Sequence, residues 1–265
     1  MTPRVRRVVF VLAAGTLAVL LARGFGALPA FGRFGGSYGL LLNQISVPQR
    51  HITDVVTAVN FDFRGFDTLG EEFIFFAAVL GVALILRAQP DEGPGHIADF
   101  ATGRAVPPTS DAVRVLGLGL TPPTVLFSIY VVSHGHLTPG GGFQGGVILA
   151  TGVLLIYLAG EFEDMHGLYS EAALERAEAV GAGSYVIIGL LGLVAGSTFL
   201  DNVLPFGTIG KVFSAGTVPL INLAVGLEIA AGLVLLLTAF LHQTLVLRPR
   251  RADRPTLDAH DPSGR

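Results

Sequence analysis

Long apolar stretches alternate with shorter polar connections along most of the chain. Six of these stretches reach the roughly 17 to 25 residues that an α-helix needs to cross a hydrocarbon layer about 30 Å thick. They cover residues 8–28, 70–86, 115–132, 142–160, 180–200 and 218–246. The pattern predicts an all-α fold, a polytopic membrane bundle of six transmembrane helices arranged as two plus four.

Composition supports a membrane protein and argues against several other classes. Of the 265 residues, 51% are hydrophobic and only 14% are charged, whereas about 25% are charged in a typical soluble domain. The net charge of −3 and the lack of a basic block argue against binding of nucleic acid. The chain has no cysteine, which removes disulfides, thiolate metal ligands and thiol catalysis. We therefore expect neither an enzyme nor a bound cofactor.

The first apolar stretch permits two interpretations. Arg4, Arg6 and Arg7 precede it and small residues follow it, as in a secretory signal peptide. Pro29 lies at the only plausible cleavage point and disfavours processing. An uncleaved helix is the favoured interpretation, and a cleaved signal is the alternative.

Polar segments divide the chain into three parts. The segment AQPDEGPGHIADFATGRAVPPTSD, residues 88–111, contains four prolines and lacks apolar periodicity. It predicts a seam between a two-span module, residues 1–105, and a four-span module, residues 106–247. The charged tail, residues 248–265, has no apolar pattern and is predicted to be a disordered cytoplasmic segment.

The distribution of cations predicts the orientation in the membrane. If the N-terminus is cytoplasmic, most of the 17 lysines and arginines fall in cytoplasmic segments, as the positive-inside rule requires. Only Arg23, Arg33, Arg50, Arg64 and Lys211 then lie outside. With six spans, both termini are predicted to be cytoplasmic, in a multi-pass protein of the cell membrane.

The stretch ITDVVTAVNFDFRGFDTLGEEF, residues 52–73, is the most patterned polar part of the chain. Thr68 and Glu71 are spaced as a capping box at the start of a helix. Glu72 is then a second carboxylate beside Arg64 and Asp67, which crowd the same entrance. Two interpretations stay open: capping with an Arg64 ion pair, or handling of protons and cations by partly desolvated carboxylates.

Glu228 is the strongest single polar anomaly. It lies about ten residues into the last apolar stretch, where a lone carboxylate costs on the order of 2.5 to 3.5 kcal/mol on insertion scales. It is therefore predicted either to be protonated and hydrogen-bonded across a helix interface, with Asn222 as the partner, or to lie on a proton or cation path.

The segment GHLTPGGGFQGG, residues 135–146, lacks the lysine and the following hydroxyl residue of a phosphate-binding loop. His134 and His136 have no further ligands nearby in sequence, so a metal site is not expected. The segment is predicted to be a shaped turn, with a proton relay at His136 as the alternative. Pro139 and Gly141 would form the turn, and small residues would open the next helix with a flat packing face: Gly142, Gly145 and Gly146.

A further acidic stretch, EFEDMHGLYSEAALERAEAVG, covers residues 161–181. We expect it to form a short amphipathic helix before the fifth span. Its carboxylates, Glu175 and Glu178 among them, are predicted to lie on a solvated face, with docking to a basic partner as the alternative.

Three of these stretches resemble known membrane proteins. VTAVNFDFRGFDTLGEEF resembles the C-terminal part of the large A subunit of Mrp-type, also called Mnh-type, multisubunit cation/proton antiporters. HGHLTPGGGFQGGVILA and PLINLAVGLEIAAGLVLLL resemble their B subunit. Related modules occur in membrane-bound hydrogenase and sulfane-reductase complexes. The resemblance implies a small membrane subunit that assembles with other antiporter subunits in a lipid bilayer and helps to exchange Na⁺ for H⁺.

The chain also departs from the family pattern. The motif of the large subunit usually ends in Gly-Glu-Ile-Thr, whereas here it is Gly70-Glu71-Glu72-Phe73. The resemblance therefore assigns the motif's glutamate to Glu71 and nothing to Glu72. Because the large helical core of an A subunit is absent, transport by this chain alone is not expected. Three hypotheses follow: a path-lining subunit that uses Glu71 and Glu228, a purely structural subunit, or a subunit of a related redox-driven complex.

Overall fold

The computed structural model describes residues 3–28, 35–86, 109–160 and 167–241. Most of the predicted linker, the first six residues of the acidic stretch and the C-terminal tail lie outside these ranges. The predictions for a seam and for a disordered tail therefore remain predictions.

Helices account for the regular structure of the described residues. Six of them are long and apolar enough to cross a membrane, so the predicted all-α fold with six spans is confirmed. In chain order the helices are α1 (Pro3–Gly26), α2 (Ser37–Arg50), α3 (Val55–Ala58), a π-helix (Val59–Phe63), α4 (Gly65–Leu86), α5 (Asp111–Ser133), α6 (Gly142–Ala159), α7 (Glu171–Val194) and α8 (Val218–Leu241).

The chain forms two compact units, Met1–Leu41 and Leu42–Arg265. The first contains α1, an apolar helix with Arg23 in its last turn. The second contains α3 to α8, and α8 lies at its centre, in contact with α4, α5, α6 and α7. Of the apolar window in α8, 61% is buried, compared with 17% to 33% in α4 to α7. This burial explains why α8 is apolar on all sides.

Glycines let α6 approach two neighbouring helices. A side chain at Gly142 would collide with the backbone carbonyl of Asn222 on α8, and one at Gly146 would lie 2.9 Å from the carbonyl oxygen of Gly226. Gly145 faces α5, where Ser128 Oγ donates a hydrogen bond of 2.8 Å to its carbonyl. The structure thus places these glycines at close backbone contacts, which is how helices pack in lipid.

Two predicted helix boundaries were wrong. The expected amphipathic helix and fifth span are a single helix, α7, which begins after the Ser170 cap and ends at Val194. No glycine or proline interrupts residues 171–180, so the helix starts well before the apolar stretch. Gly196, with φ of 79°, follows its end. Helix α4 begins at Gly65, so Thr68 lies inside its first turn and is not the N-cap of a capping box.

The contact between α7 and α8 gives a first prediction. A Cβ atom at Gly181 would lie 2.7 Å from both the Ala224 carbonyl oxygen and the Glu228 amide nitrogen. Because these are backbone atoms, Gly181→Val must separate the helices, at a cost of about 1 to 3 kcal/mol or more. We expect a lower thermal midpoint of the purified protein in detergent.

Gly183→Val is the matched control for that prediction. Gly183 lies on the same helix and has nothing within 4 Å of its Cβ direction. Equal thermal midpoints for the two variants would contradict the close contact.

Candidate functional site

Glu228 lies in the middle of α8, completely buried. Neither of its carboxylate oxygens has a hydrogen-bond partner among the described residues. About ten residues of helix, or about 15 Å, separate it from the start of α8 at Val218. A buried carboxylate without a partner is costly, so this position calls for a proton, a cation or water.

The predicted hydrogen bond between Glu228 and Asn222 is absent from the described residues. Asn222 Oδ1 instead accepts from the amide of Gly142 at 2.8 Å, and Asn222 Nδ2 donates to the Val218 carbonyl at 3.3 Å. The reason is helical geometry, because residues six apart lie on different faces of a helix. Asn222 satisfies the first free amide of α6, which explains its burial without any role for Glu228.

Glu71 and Glu72, the two consecutive glutamates of α4, lie in different environments. Glu72 is buried, at 4% exposure, and its Oε2 has no hydrogen-bond partner in the described part of the chain. It lies within electrostatic range of Glu228 on α8. Glu71 is exposed on the other face of α4. The carboxylate that lies inside the bundle is therefore the one that the family resemblance does not assign.

Asp67 and Arg64 form an exposed ion pair at the start of α4. Arg64 Nε donates to Asp67 Oδ2 at 2.7 Å, and both side chains are at least half exposed. An exposed pair of this kind contributes little to stability. The structure therefore places Asp67 outside the buried group of carboxylates.

A third buried carboxylate belongs to Glu178 of α7. It is 2% exposed, and its Oε1 has no hydrogen-bond partner among the described residues. The charge pattern predicted a solvated face for it, and this prediction is wrong. The spacing of Glu178 from later buried residues could have indicated this position. The buried residues of α7 recur every three or four positions, and Glu178 is the first of them: Glu178, Gly181, Ala182, Tyr185, Gly189 and Gly192.

A polar cavity opens at the end of the bundle where α4 and α8 begin. Its volume is about 320 Å³, and Asp62 lines it together with Arg50, Arg64 and Asp201. Arg50 Nε lies 3.3 Å from Asp62 Oδ1. Burial raises the pKa of Asp62, while a hydrogen bond from Asn202 and the charge of Arg50 partly offset that rise. A hydrated ion or a proton carrier would meet a carboxylate and a guanidinium here.

His136 holds several loops together at the same end. Its carbonyl accepts from the amides of Thr53 and Asp54, and its Nε2 lies 3.4 Å from the Lys211 carbonyl oxygen. The side chain is buried, and its Nδ1 has no hydrogen-bond partner within the described ranges. Burial lowers the pKa of His136, so the neutral ring is favoured.

The turn that follows His136 has the shape expected from its sequence. Gly140 and Gly141 have φ values of 150° and 131°, which residues with a side chain rarely adopt. Pro139 is exposed beside them, and Gly141 is the N-cap residue of α6. The segment positions α6 against α8 and carries no phosphate-binding groups.

The lowered pKa of His136 gives a second prediction. The unfolded chain binds a proton at His136 near the ordinary pKa of 6.5, whereas the folded chain binds it only at lower pH. Stability is therefore fully present above that value and is lost as the pH falls below it. We expect the thermal midpoint of the purified protein to fall between about pH 7 and pH 5, and His136→Gln to reduce that fall.

His51→Gln controls for a general effect of acid on that test. The His51 imidazole belongs to another loop, where its Nδ1 lies 2.8 Å from the Gly207 carbonyl oxygen. An unchanged pH dependence in His136→Gln would contradict the assignment.

Polar groups also occur at the opposite end of the bundle. Tyr169 Oη and Thr238 Oγ1 are 2.6 Å apart, and Thr238 is buried near the end of α8. Burial raises the pKa of Tyr169. In the described residues no group of three or more histidines, aspartates or glutamates is placed to hold a metal ion.

Comparison with known proteins identifies the family. A protein-family profile described as "Domain related to MnhB subunit of Na+/H+ antiporter" matches residues 112–235, which run from α5 to α8. A probable K(+)/H(+) antiporter A/B subunit of Rhizobium meliloti is 30% identical over 217 residues, 73% of this chain and 21% of that protein. The chain belongs to the MnhB family. The resemblance to the Mrp/Mnh B subunit is thereby confirmed, and the chain is a multi-pass membrane protein.

Two further relatives of this MnhB-family chain are matched over a larger share of their own length. An uncharacterized protein of Methanocaldococcus jannaschii is 31% identical over 211 residues, 72% of this chain and 78% of that protein. A chain in the solved structure of the membrane-bound sulfane sulfur reductase, an archaeal respiratory membrane complex, is 31% identical with a TM-score of 0.63. The match covers 89% of this chain and 98% of that one.

Proposed function

We propose that this chain is a membrane subunit of a multisubunit monovalent cation/proton antiporter, in which Glu72 and Glu228 exchange protons on the transport path. The observation that carries the proposal is Glu228, which is completely buried, has no partner for either oxygen among the described residues, and lies within electrostatic range of Glu72. A group that only caps or pairs would have a partner.

Electrostatics explain why such a pair can exchange protons. Two carboxylates that share a desolvated site cannot both carry a charge at low cost. A proton on one of them, or a cation beside them, relieves the repulsion, so the two ligands compete. Antiport requires this kind of competition, since one ion must leave before the other binds.

The remaining parts of the path belong to neighbouring subunits in this proposal. Glu71 is exposed on α4, just before the part of that helix that is free of charged and polar residues. A charge that faces lipid is costly, so we propose that Glu71 faces a partner subunit or a water-filled space. Because the name of the Rhizobium relative joins the A and B subunits, it supports the view that residues 1–105 correspond to the C-terminal end of the A subunit.

The orientation is part of the same proposal. The positive-inside distribution of arginines supports cytoplasmic termini in the cell membrane. The cavity around Asp62 would then open outside the cell, and Tyr169 would lie on the cytoplasmic side. Na⁺ is the cation that the family description names, and the name of the Rhizobium relative makes K⁺ the alternative.

A second function is favoured by one observation. The match to the sulfane-reductase chain covers 98% of that chain. The match to the antiporter A/B protein covers only 21% of that protein. In a redox-driven complex the same buried carboxylates would move protons or cations, with the driving force supplied by other subunits.

The test is to identify what the chain assembles with. We expect affinity purification of the tagged full chain, after mild detergent extraction, to recover other antiporter subunits, and vesicles containing them to form a pH gradient on addition of Na⁺ or K⁺. Recovery of iron–sulfur proteins without cation-dependent proton movement would contradict antiport and support the redox-driven alternative.

A further inference from the structure

Helices α7 and α8 cross through a reciprocal pair of glutamates and glycines. Glu228 of α8 lies against Gly181 of α7, where a Cβ atom would be 2.7 Å from the Glu228 Cβ. One turn further along α8, Gly232 lies against Glu178 of α7, where a Cβ atom would be 2.9 Å from Glu178 Oε1. The Glu178 carboxylate therefore occupies space that Gly232 leaves on α8, and the backbone and Cβ of Glu228 occupy space that Gly181 leaves on α7.

Three helices surround Glu178. Glu175 is exposed on the same helix, and Glu228 faces it from α8, within electrostatic range. Phe75 of α4 packs on Gly232, since its ring would lie 2.6 Å from a Cβ atom there. Neither of the ion pairs found among the described residues involves Glu178. It is thus a buried acid with acidic neighbours and with no cation to balance its charge in that part of the chain.

The polar groups form a series along the length of the bundle. Glu72 lies about 10 Å along α4 from Gly65, and Glu228 lies about 15 Å along α8 from Val218, at the same end. Gly232, which marks the level of Glu178, is about 6 Å beyond Glu228. Thr238, which is hydrogen-bonded to Tyr169, is about 9 Å further again.

We propose that Glu178 is the third proton-carrying group of a relay, Glu72 to Glu228 to Glu178, which crosses the bundle within this chain and leads to the Tyr169–Thr238 pair. The inference rests on the proposed function and extends it, because that function needs only Glu72 and Glu228. At each step a protonated carboxyl gives its proton, through water, to an ionised carboxylate. In each transfer one O–H bond breaks and another forms, and no oxidation state changes.

The glycines explain how the relay avoids helix distortion. Any larger residue at Gly181 or Gly232 would displace the helix or the carboxylate opposite. The reciprocal arrangement thus keeps both glutamates at the α7–α8 interface and one turn apart. A purely structural contact would be served better by apolar residues of similar volume, since buried charges contribute little stability.

The test uses the complete complex with Glu178→Gln, and Glu175→Gln as the control on the exposed side of the same helix. We expect Glu178→Gln to reduce cation-dependent proton transport in vesicles by on the order of 100-fold, with an unchanged amount of assembled complex. Glu178→Asp, which keeps an acid, should restore part of the transport. Glu175→Gln should transport normally.

Infrared difference spectroscopy adds a readout that does not depend on transport. The carbonyl band of protonated carboxylic acids, recorded on the purified complex between acid and alkaline pH, should lose a component in Glu178→Gln. Normal transport by Glu178→Gln would overturn the relay, and so would a loss that follows the loss of assembled complex and is not restored by Glu178→Asp. Normal transport by Glu228→Gln would instead refute the proposed function.

Discussion

Replacement of Glu228 by Gln is expected to abolish cation-dependent proton movement in vesicles that contain the assembled complex. Gln has nearly the shape of Glu but cannot release a proton, so the variant removes the chemistry and keeps the packing. Loss of a positioned proton-transfer group reduces rates by on the order of 100-fold or more. The measurement is the pH gradient formed on addition of Na⁺ or K⁺, divided by the amount of complex on a native gel.

Two variants control for that result. Glu228→Asp keeps an ionisable group on a shorter side chain and should retain part of the activity. Glu175→Gln removes a carboxylate that is exposed on α7 and should have no effect. If Glu228→Gln instead lowers assembly and activity in equal proportion, Glu228 is a structural residue.

Replacement of Asn202 by Ala is expected to destabilise the protein more than any other single polar substitution proposed for the loops. Asn202 Nδ2 donates to Asp62 Oδ2 at 3.1 Å and to the Ala215 carbonyl at 3.0 Å. Its Oδ1 accepts from the amide of Thr217 at 2.7 Å and from the Thr217 hydroxyl at 3.1 Å. One buried side chain thus links the π-helix to the segment that precedes α8.

The expected loss from Asn202→Ala is on the order of 3 kcal/mol, because buried partners would be left without hydrogen bonds. The measurement is the midpoint of thermal unfolding in detergent. Ser197→Ala, which removes an exposed hydroxyl bonded to Asp201, should leave the midpoint nearly unchanged. Equal midpoints for the two variants would contradict the role of Asn202 as a link between the loops.

Hydrophobic length predicted the spans well because each helix must cross the same thickness of lipid. Boundaries were less accurate where a helix continues beyond its apolar part. Helix α7 begins at Glu171, nine positions before its predicted start, because alanine, leucine, glutamate and arginine all favour helix. The apolar criterion detects the part of a helix in lipid and not the part in the polar layer.

Burial of individual carboxylates could be predicted only in part. Glu228 was identified because it interrupts an apolar stretch. Glu178 was missed because it follows other acidic residues, and only its spacing from Gly181 and Tyr185 indicates the buried face. The choice between Glu71 and Glu72 depends on the rotation of α4 about its axis, which is set by contacts with α7 and α8. Such contacts between distant segments cannot be read from local sequence.

The most direct measurement of the central claim is proton release from the purified complex in detergent on addition of Na⁺ or K⁺. We expect cation binding to displace about one proton from the buried carboxylates. Glu228→Gln should abolish this release, and Glu175→Gln should preserve it. Equal proton release from the Glu228→Gln and unsubstituted complexes would contradict the claim that Glu228 exchanges protons for cations.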